Sequence, residues 1–273
     1  MTFKKSLALM VALALPMAAE AHRYWVLPAA TVLSGDDPWV TVDAAVSNDI
    51  FYFNHFPLKA HYLSVVKPDG SEGEMLNVGE GKHRTTFDIN LTEQGTYKVL
   101  MDSSGLHASW ETADGERKRW PGRGEKPEPG DFEKKVPQDA KNLKVGYSST
   151  KLETFITAGN PTDTVLALSN KGLEMKSSVH PNDLFTGEPV ELTFFMDGEA
   201  IEGVNVVIIP EGMRYRDSQE EIALTTDEAG KVKVDWPQAG RYWLEAEYED
   251  DKAEPPATTR SGKYIATLEV LPL

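Results

Sequence analysis

The residue with the clearest chemical potential in this sequence is a histidine that could become the first residue of a processed chain. Ala19 and Ala21 are the small residues that signal peptidase prefers three and one positions before its cut, so cleavage after Ala21 would expose His22. An N-terminal histidine offers an α-amine and an imidazole Nδ1 that can close one chelate ring on a metal ion. The pattern predicts a metal ligand at His22, although some residue must follow any cut and the histidine could stand there by chance.

The other histidines lie mostly in the first half of the chain and could supply further nitrogen ligands. His55 lies in an aromatic loop that begins at Ile50, and His61 opens the following strand, so both rings could fold onto one patch with His22. His107 stands just before a glycine- and proline-rich segment and could act as a mobile further ligand. We therefore predict a metal site formed by His22, His55, His61 and His107. In the alternative interpretation, His55 caps an aromatic cluster and His61 faces solvent.

The composition restricts both the metal and its ligands. Imidazole and amine nitrogens suit copper, nickel, cobalt or zinc better than calcium or magnesium. The chain has no cysteine, which excludes disulfides and thiolate metal sites. His83 lies between Lys82 and Arg84 in a basic turn that repels cations, so we interpret it as a surface residue. We expect His180 at a junction between domains.

The N-terminal segment and the net charge indicate an exported, soluble protein. Lys4 and Lys5 precede an apolar run from Leu7 to Leu15, so we predict that residues 1–21 are a cleaved signal peptide and that the product is periplasmic. No later apolar run approaches the roughly 20 residues that a transmembrane helix needs, so we expect no transmembrane segment in the mature chain. The formal charge of −15 disfavours nucleic acid and anionic membrane surfaces as partners.

Alternation of apolar and polar residues is the main secondary-structure signal. Segments such as 39–46 and 85–89 in the first half, and 190–195 and 204–209 in the second, alternate as strands and are separated by turn signals. Short strands at this spacing indicate antiparallel sandwiches rather than βαβ units. In both halves a glycine is followed two residues later by a tyrosine that opens a strand, and we predict that each tyrosine hydroxyl bonds back to a corner of its sandwich; these residues are Tyr97 and Tyr242.

One segment interrupts the strand pattern. Residues 112–140 are dominated by glycine, proline and charged residues, and we predict a flexible insertion there because few apolar residues can offset the entropy of ordering. A linker is expected near 159–162. The predicted domains are therefore an N-terminal sandwich over 22–158, which contains the insertion, and a C-terminal sandwich over 162–273.

Several enzyme classes lack their motifs in this sequence. There is no phosphate-binding glycine loop with Lys-Ser/Thr, no nucleophile elbow and no His-Glu-x-x-His helix. Trp110 and Trp120 could stack on a sugar or could anchor the 112–140 segment.

The opening of the predicted mature chain, Ala21-His22-Arg23-Tyr24-Trp25-Val26-Leu27-Pro28, resembles a known family. It is similar to the domain-of-unknown-function 4198 family, whose exported members often start His-x-Phe/Tyr-Trp-x-x-Pro, and the segments 225–230 and 240–243 resemble that family's closing part. The resemblance covers nearly all of the mature chain. It implies Ig-like folds and a role in periplasmic cobalt or nickel uptake, with His22 and His55 as the matching positions. The insertion is not expected of the family.

Together these observations predict an all-β fold of two antiparallel Ig-like or prealbumin-like β-sandwich domains after a signal peptide. We expect a non-enzymatic periplasmic protein that binds a transition metal ion, either nickel, cobalt or copper, at the mature N-terminus. Its expected partners are the metal ion and a transporter of the inner or outer membrane, and not nucleic acid. Two alternatives stay open: a copper oxygenase with a histidine brace, and a metal-free module that binds carbohydrate or protein.

Overall fold

A computed structural model of the protein describes residues 22–273. The predicted signal peptide over residues 1–21 lies outside the described residues. Strands dominate the described chain, and their pairing is almost entirely antiparallel, so the prediction of an all-β antiparallel fold is confirmed. No helix in this part of the chain is both long enough and apolar enough to cross a bilayer.

The first half of the described chain contains eleven strands and one short α-helix. They are β1 (Arg23–Pro28), β2 (Val32–Leu33), β3 (Trp39–Ser47), β4 (Phe56–Pro57), β5 (Ser64–Val66), β6 (Glu72–Gly73), β7 (Leu76–Glu80), β8 (Thr85–Asn90), β9 (Gly95–Glu111), β10 (Arg117–Trp120), α1 (Asp131–Lys135) and β11 (Lys141–Ala158).

The second half adds nine strands. They are β12 (Leu173–Ser177), β13 (Leu184–Phe185), β14 (Val190–Met196), β15 (Glu199–Ala200), β16 (Asn205–Pro210), β17 (Ile222–Thr225), β18 (Lys231–Val234), β19 (Gly240–Asp250) and β20 (Thr259–Leu271). Three 3-10 helices complete the elements, at Ala60–Tyr62, Thr164–Leu166 and Met213–Tyr215.

The strands form three sheets, of which the largest contains strands from both halves of the chain. The first sheet has the order β1-β3-β8-β7 with β4 beside β3, and the third has the order β12-β14-β15 with β18 beside β14. The central sheet runs β17-β16-β19-β20-β11-β9-β5-β6. Its halves join through a parallel pairing of β11 with β20, in which Leu152 lies opposite Ile265. The domain boundaries at 22–158 and 162–273 stay a prediction.

The central sheet lies between the other two sheets. Successive residues of a strand point to opposite faces, and on β19 Trp243 belongs to one buried cluster while Tyr242 and Leu244 belong to the other. The first cluster includes Phe87 of the first sheet, and the second includes Phe194 of the third sheet. The protein therefore buries two apolar layers, one on each side of the central sheet.

Both predicted tyrosine corners are confirmed. The Tyr97 hydroxyl donates to the Glu93 carbonyl at 3.1 Å and accepts from the Glu93 amide at 2.8 Å. The Tyr242 hydroxyl donates to the Gln238 carbonyl at 2.8 Å. In each case the bond reaches four residues back, across the turn that precedes the strand.

The 112–140 segment has more structure than its composition suggests. It contains β10, which pairs with β9, and the helix α1. Trp120 and Phe132 are 6% and 5% exposed, and their ring centroids lie 5.6 Å apart against Ala108 and Val145. The few apolar residues of this segment converge on one small core, which a count of composition does not reveal. Its flexibility stays a prediction.

Candidate metal centre

The aromatic loop that carries His55 is anchored on Trp25. Trp25 is fully buried, and its Nε1 donates to Ser47 Oγ at 2.7 Å, where β3 ends. Phe51 and Phe53 contact the same indole with ring centroids at 5.6 and 5.4 Å. The loop is therefore tied to β1 by packing of aromatic rings.

The short strand β4 then fixes the residue that follows His55. Phe56 pairs with Val46 of β3, so His55 lies where the loop rejoins the first sheet. On β1, Arg23 pairs with Ser47 at the end of β3. His22 directly precedes β1 and therefore lies at the same end of the sheet. β1 and β4 both pair with Ala45 and Val46, so they flank β3 on opposite sides, and the two histidines meet beyond the end of β3.

His22 and His55 stack on each other. Their ring centroids lie 3.9 Å apart and their planes differ by 8°. Phe56 contacts both rings, with centroid distances of 5.9 Å to His22 and 4.5 Å to His55. His22 is exposed and His55 is half-buried. The structure therefore brings together the two histidines that the sequence places at the centre of the metal hypothesis.

The environment of His55 favours the neutral ring. Partial burial lowers the pKa of His55 below its ordinary value because it disfavours the charged imidazolium. Repulsion from His22 and His83 in their protonated forms, and from Arg123, lowers the pKa further. Since only neutral imidazole offers a lone pair to a metal ion, the shift keeps His55 available as a ligand. The electrostatic effect of Arg123 on His55 places this part of the 112–140 segment near the site.

A metal ion could not be shared by the two rings in their stacked arrangement. An imidazole binds a metal along its in-plane lone pair at about 2.0–2.1 Å, and two stacked, nearly parallel rings with centroids 3.9 Å apart do not direct their lone pairs at one position. Rotation of the exposed His22 ring would be needed to direct a lone pair of each ring at one ion. With the α-amine that processing would create, the donors are three nitrogens, and this set fits copper, nickel or cobalt.

His83 contacts the loop of the same site, so its interpretation as a surface residue holds only in part. It is half-buried, and its Nδ1 donates to the His55 carbonyl at 2.9 Å. The bond requires a hydrogen on Nδ1 and leaves Nε2 of the neutral ring as an acceptor. The neighbouring Arg84 charge is directed elsewhere, because Arg84 lies 4.4 Å over the Phe53 ring and 3.4 Å from Asp43.

The other two predicted ligands have different surroundings. His61 is exposed in a 3-10 helix, with its ring 4.1 Å from that of Tyr62. His107 lies on β9 opposite Gly146 of β11. Its ring lies so close to this glycine that a Cβ at position 146 would come within 2.6 Å of the ring. Their assignment as ligands stays a prediction. Within residues 22–273, three or more histidine or carboxylate groups do not gather in an arrangement that could hold a metal ion.

His180 of the second half contacts Thr96 of the first half, and its place at a junction between domains stays a prediction. Its Nδ1 accepts from the Asn182 amide at 3.1 Å, so in the neutral ring the hydrogen is on Nε2, which lies 3.0 Å from Thr96 Oγ1. Burial lowers the pKa of His180, although hydrogen bonding to the Thr162 backbone and nearby carboxylates oppose the shift. This histidine therefore has a structural role as a neutral group.

The geometry defines an all-β sandwich protein with a stacked histidine pair at one end of its first sheet. The chain belongs to a family that is described as Domain of unknown function (DUF4198), whose model matches residues 19–250. This membership confirms the resemblance of the opening residues. No curated protein matches the chain.

Similar solved structures belong to longer chains. They include Escherichia coli alpha-2-macroglobulin activated by porcine elastase (9% identity, TM-score 0.24), red sea bream transglutaminase (11%, 0.20) and the chicken CNTN1 FN1–FN3 domains (9%, 0.19). Each similarity covers 90–92% of this chain, but only 20%, 31% and 65% of the respective structures. TM-scores this low carry no argument about function.

Proposed function

We propose that this protein is a non-enzymatic periplasmic metal carrier, which binds nickel, cobalt or copper through His22 and His55 and exchanges the ion with a membrane transporter. The observation that supports it is the proximity of these two rings, whose centroids lie 3.9 Å apart, so that rotation of the exposed His22 ring would direct a lone pair of each ring at one ion. The sequence pattern around Ala21 supports export and the creation of a third nitrogen donor, the α-amine of His22.

The electrostatics of the pair are compatible with cargo binding. The lowered pKa of His55 keeps its ring neutral near neutral pH, so a metal ion does not have to displace a proton from it. The net charge of −15 favours the approach of cations over longer distances. His83 contributes by holding the His55 backbone, as outer partners of metal ligands often do.

The small number of donors suits an ion that must be passed on. Three nitrogens leave at least one coordination position of a four-coordinate ion for water or for a ligand of the next protein. The exposed position of His22 allows such a ligand to approach. A fully enclosed site would instead favour a permanently bound ion.

Native mass spectrometry of the protein recovered from the periplasm tests this function directly. We expect a chain that begins at His22 and carries one copper, nickel or cobalt ion. A different first residue would remove the amine donor, and a correctly processed protein that takes up none of these ions would show that the proposal is wrong.

A further inference from the structure

A second candidate site lies on the opposite face of the central sheet from the first sheet. It is a cavity of about 400 Å³ between β9 and β11 on one side and β12, the 163–168 segment and the 177–181 loop on the other. This volume lies within the range of small-molecule sites, which often occur where two packed units meet.

About half of the cavity wall is apolar. Phe155 of β11 and Met175 of β12 are 4% and 8% exposed, and Val165 from the 3-10 helix is 4% exposed. Val179 is 38% exposed and lines the same cavity, so it marks the opening to solvent. A ligand with an apolar body would bury that body against these side chains.

One end of the cavity carries a nearly buried ion pair. Lys98 Nζ lies 3.0 Å from Glu153 Oε1, and the two side chains are 13% and 10% exposed. The other oxygen of Glu153 accepts from the Tyr264 hydroxyl at 2.9 Å. Strand register brings the pair together, because Lys98 lies opposite Phe155, two residues from Glu153 on the same face.

This ion pair has unused hydrogen-bonding capacity. An ammonium has three N–H donors, and among the described residues Lys98 directs only one of them, at Glu153. A carboxylate accepts about four hydrogen bonds, and Glu153 receives two. A buried pair seldom adds stability beyond that of apolar residues of similar size, so packing alone does not explain it.

The neighbouring charged pair differs, because its capacity is used within the protein. Glu174 accepts from Lys151 Nζ at 2.6 Å, from the Ser169 amide and hydroxyl at 2.9 and 2.8 Å, and from the Asn170 amide at 2.7 Å. Glu174 therefore has a structural role. Asp163 and Lys176 also line the cavity but are exposed to solvent, so the buried polar end available to a ligand is formed by Lys98 and Glu153.

We propose that this cavity binds a small zwitterion with an apolar body, such as an α-amino acid with a large apolar side chain. A Lys98–Glu153 pair has no net charge but has a strong dipole, so it complements a ligand that carries an ammonium and a carboxylate on one carbon. The carboxylate would accept from Lys98 and the ammonium would donate to Glu153. The side chain would lie against Phe155 and Met175.

Calorimetric titration of the full processed chain with L-phenylalanine tests the proposal. We expect saturable binding, and at least tenfold weaker binding of 3-phenylpropanoate, which lacks the amine, and of phenethylamine, which lacks the carboxylate. Val179→Trp should block the opening without disturbing the core, since Val179 is partly exposed. Lys126→Ala, a change at an exposed lysine of the 112–140 segment, is the matched control and should leave the affinity unchanged.

A charge variant gives a second readout that loss of structure would not produce. Glu153→Gln keeps the size of the side chain but makes the polar end net positive. This variant should bind L-phenylalanine at least tenfold more weakly, and it should prefer 3-phenylpropanoate to L-phenylalanine. The proposal is overturned if L-phenylalanine gives no saturable binding, or if it binds the Val179→Trp variant and the unaltered protein equally. Metal binding at His22 is independent of either outcome.

Discussion

The most informative perturbation of the proposed metal site is the addition of a single alanine before His22. The extension leaves every side chain of the protein in place. It moves the charged α-amine one residue away and puts a peptide nitrogen in its position, and a protonated peptide nitrogen is a poor ligand. If His22 chelates through its amine and its ring, the extension should therefore act like His22→Ala.

The expected magnitude follows from the geometry. One added residue displaces the amine by about 3.3–3.6 Å, whereas a metal–nitrogen bond is only about 2.0–2.1 Å long, so the displaced amine cannot reach the same ion in the same chelate ring. Loss of one ligand should weaken binding at least tenfold, or by about 1.4 kcal/mol. His55→Ala should cause a loss of the same order, because it removes one of the three nitrogen ligands.

The assay is a side-by-side titration of copper and nickel into the processed chain, the extended chain and the two alanine variants. His61→Ala removes the imidazole of a further predicted ligand and tests that assignment. His61 is exposed and contacts Tyr62, so its loss should leave the affinity unchanged if the site is formed by His22 and His55 alone. Equal affinities of the processed and extended chains would refute the reasoning, because the N-terminal histidine would then be incidental.

Three further predictions concern the surroundings of the site and the fold. His83→Ala should weaken metal binding about twofold to tenfold, since a hydrogen bond contributes about 0.5–1.5 kcal/mol, and His83→Asn should recover part of the loss in the same titration if an amide donor still reaches the His55 carbonyl. Metal affinity should fall as the pH drops below about 8, where protons begin to compete for the α-amine, and should fall further below about 6, where they compete for imidazole; the lowered pKa of His55 means that its share of the loss begins below the ordinary imidazole range, which titration from pH 8 to pH 5 would reveal. Limited proteolysis should first cut between Arg123 and Lys126, where the chain is exposed and unpaired, and mass analysis that finds a first cut within 190–209 would contradict this expectation.

The pH dependence of folding provides an independent check on His180. Its pKa is lowered by burial, so below the ordinary imidazole value of about 6.5 the unfolded chain binds more protons than the folded chain. The contribution of His180 to stability is therefore present above that pH and is lost as the pH falls. Thermal unfolding of His180→Gln should show a weaker decline between pH 7 and pH 5 than the unaltered protein; an identical decline would contradict this assignment.

Local patterns in the sequence were sufficient for the features that depend on near neighbours. Alternation predicts strands such as β3 and β14, because one face of a strand is buried and the other is not. The glycine-to-tyrosine spacing predicts both tyrosine corners, since the hydroxyl bonds only four residues back along the chain. The pairing of His22 with His55 was also anticipated, from residue type and position.

Tertiary structure alone decided the features that join distant residues. The hydrogen bond from His83 to the His55 carbonyl depends on where the turn before β8 meets the aromatic loop. The flanking Lys82 and Arg84 by themselves favour a surface position for His83 away from any metal ion. The union of both halves in one central sheet depends on the pairing of Leu152 with Ile265, more than a hundred residues apart.

The same physical reason explains the 112–140 segment and the second cavity. Composition averages over residues and does not register that Trp120 and Phe132 meet in one small core. Charge counts likewise cannot show that Lys98 and Glu153 lie on adjacent strands and face a common cavity. Sequence periodicity determines which residues are buried within each strand, whereas strand order and register determine which side chains from different strands come into contact.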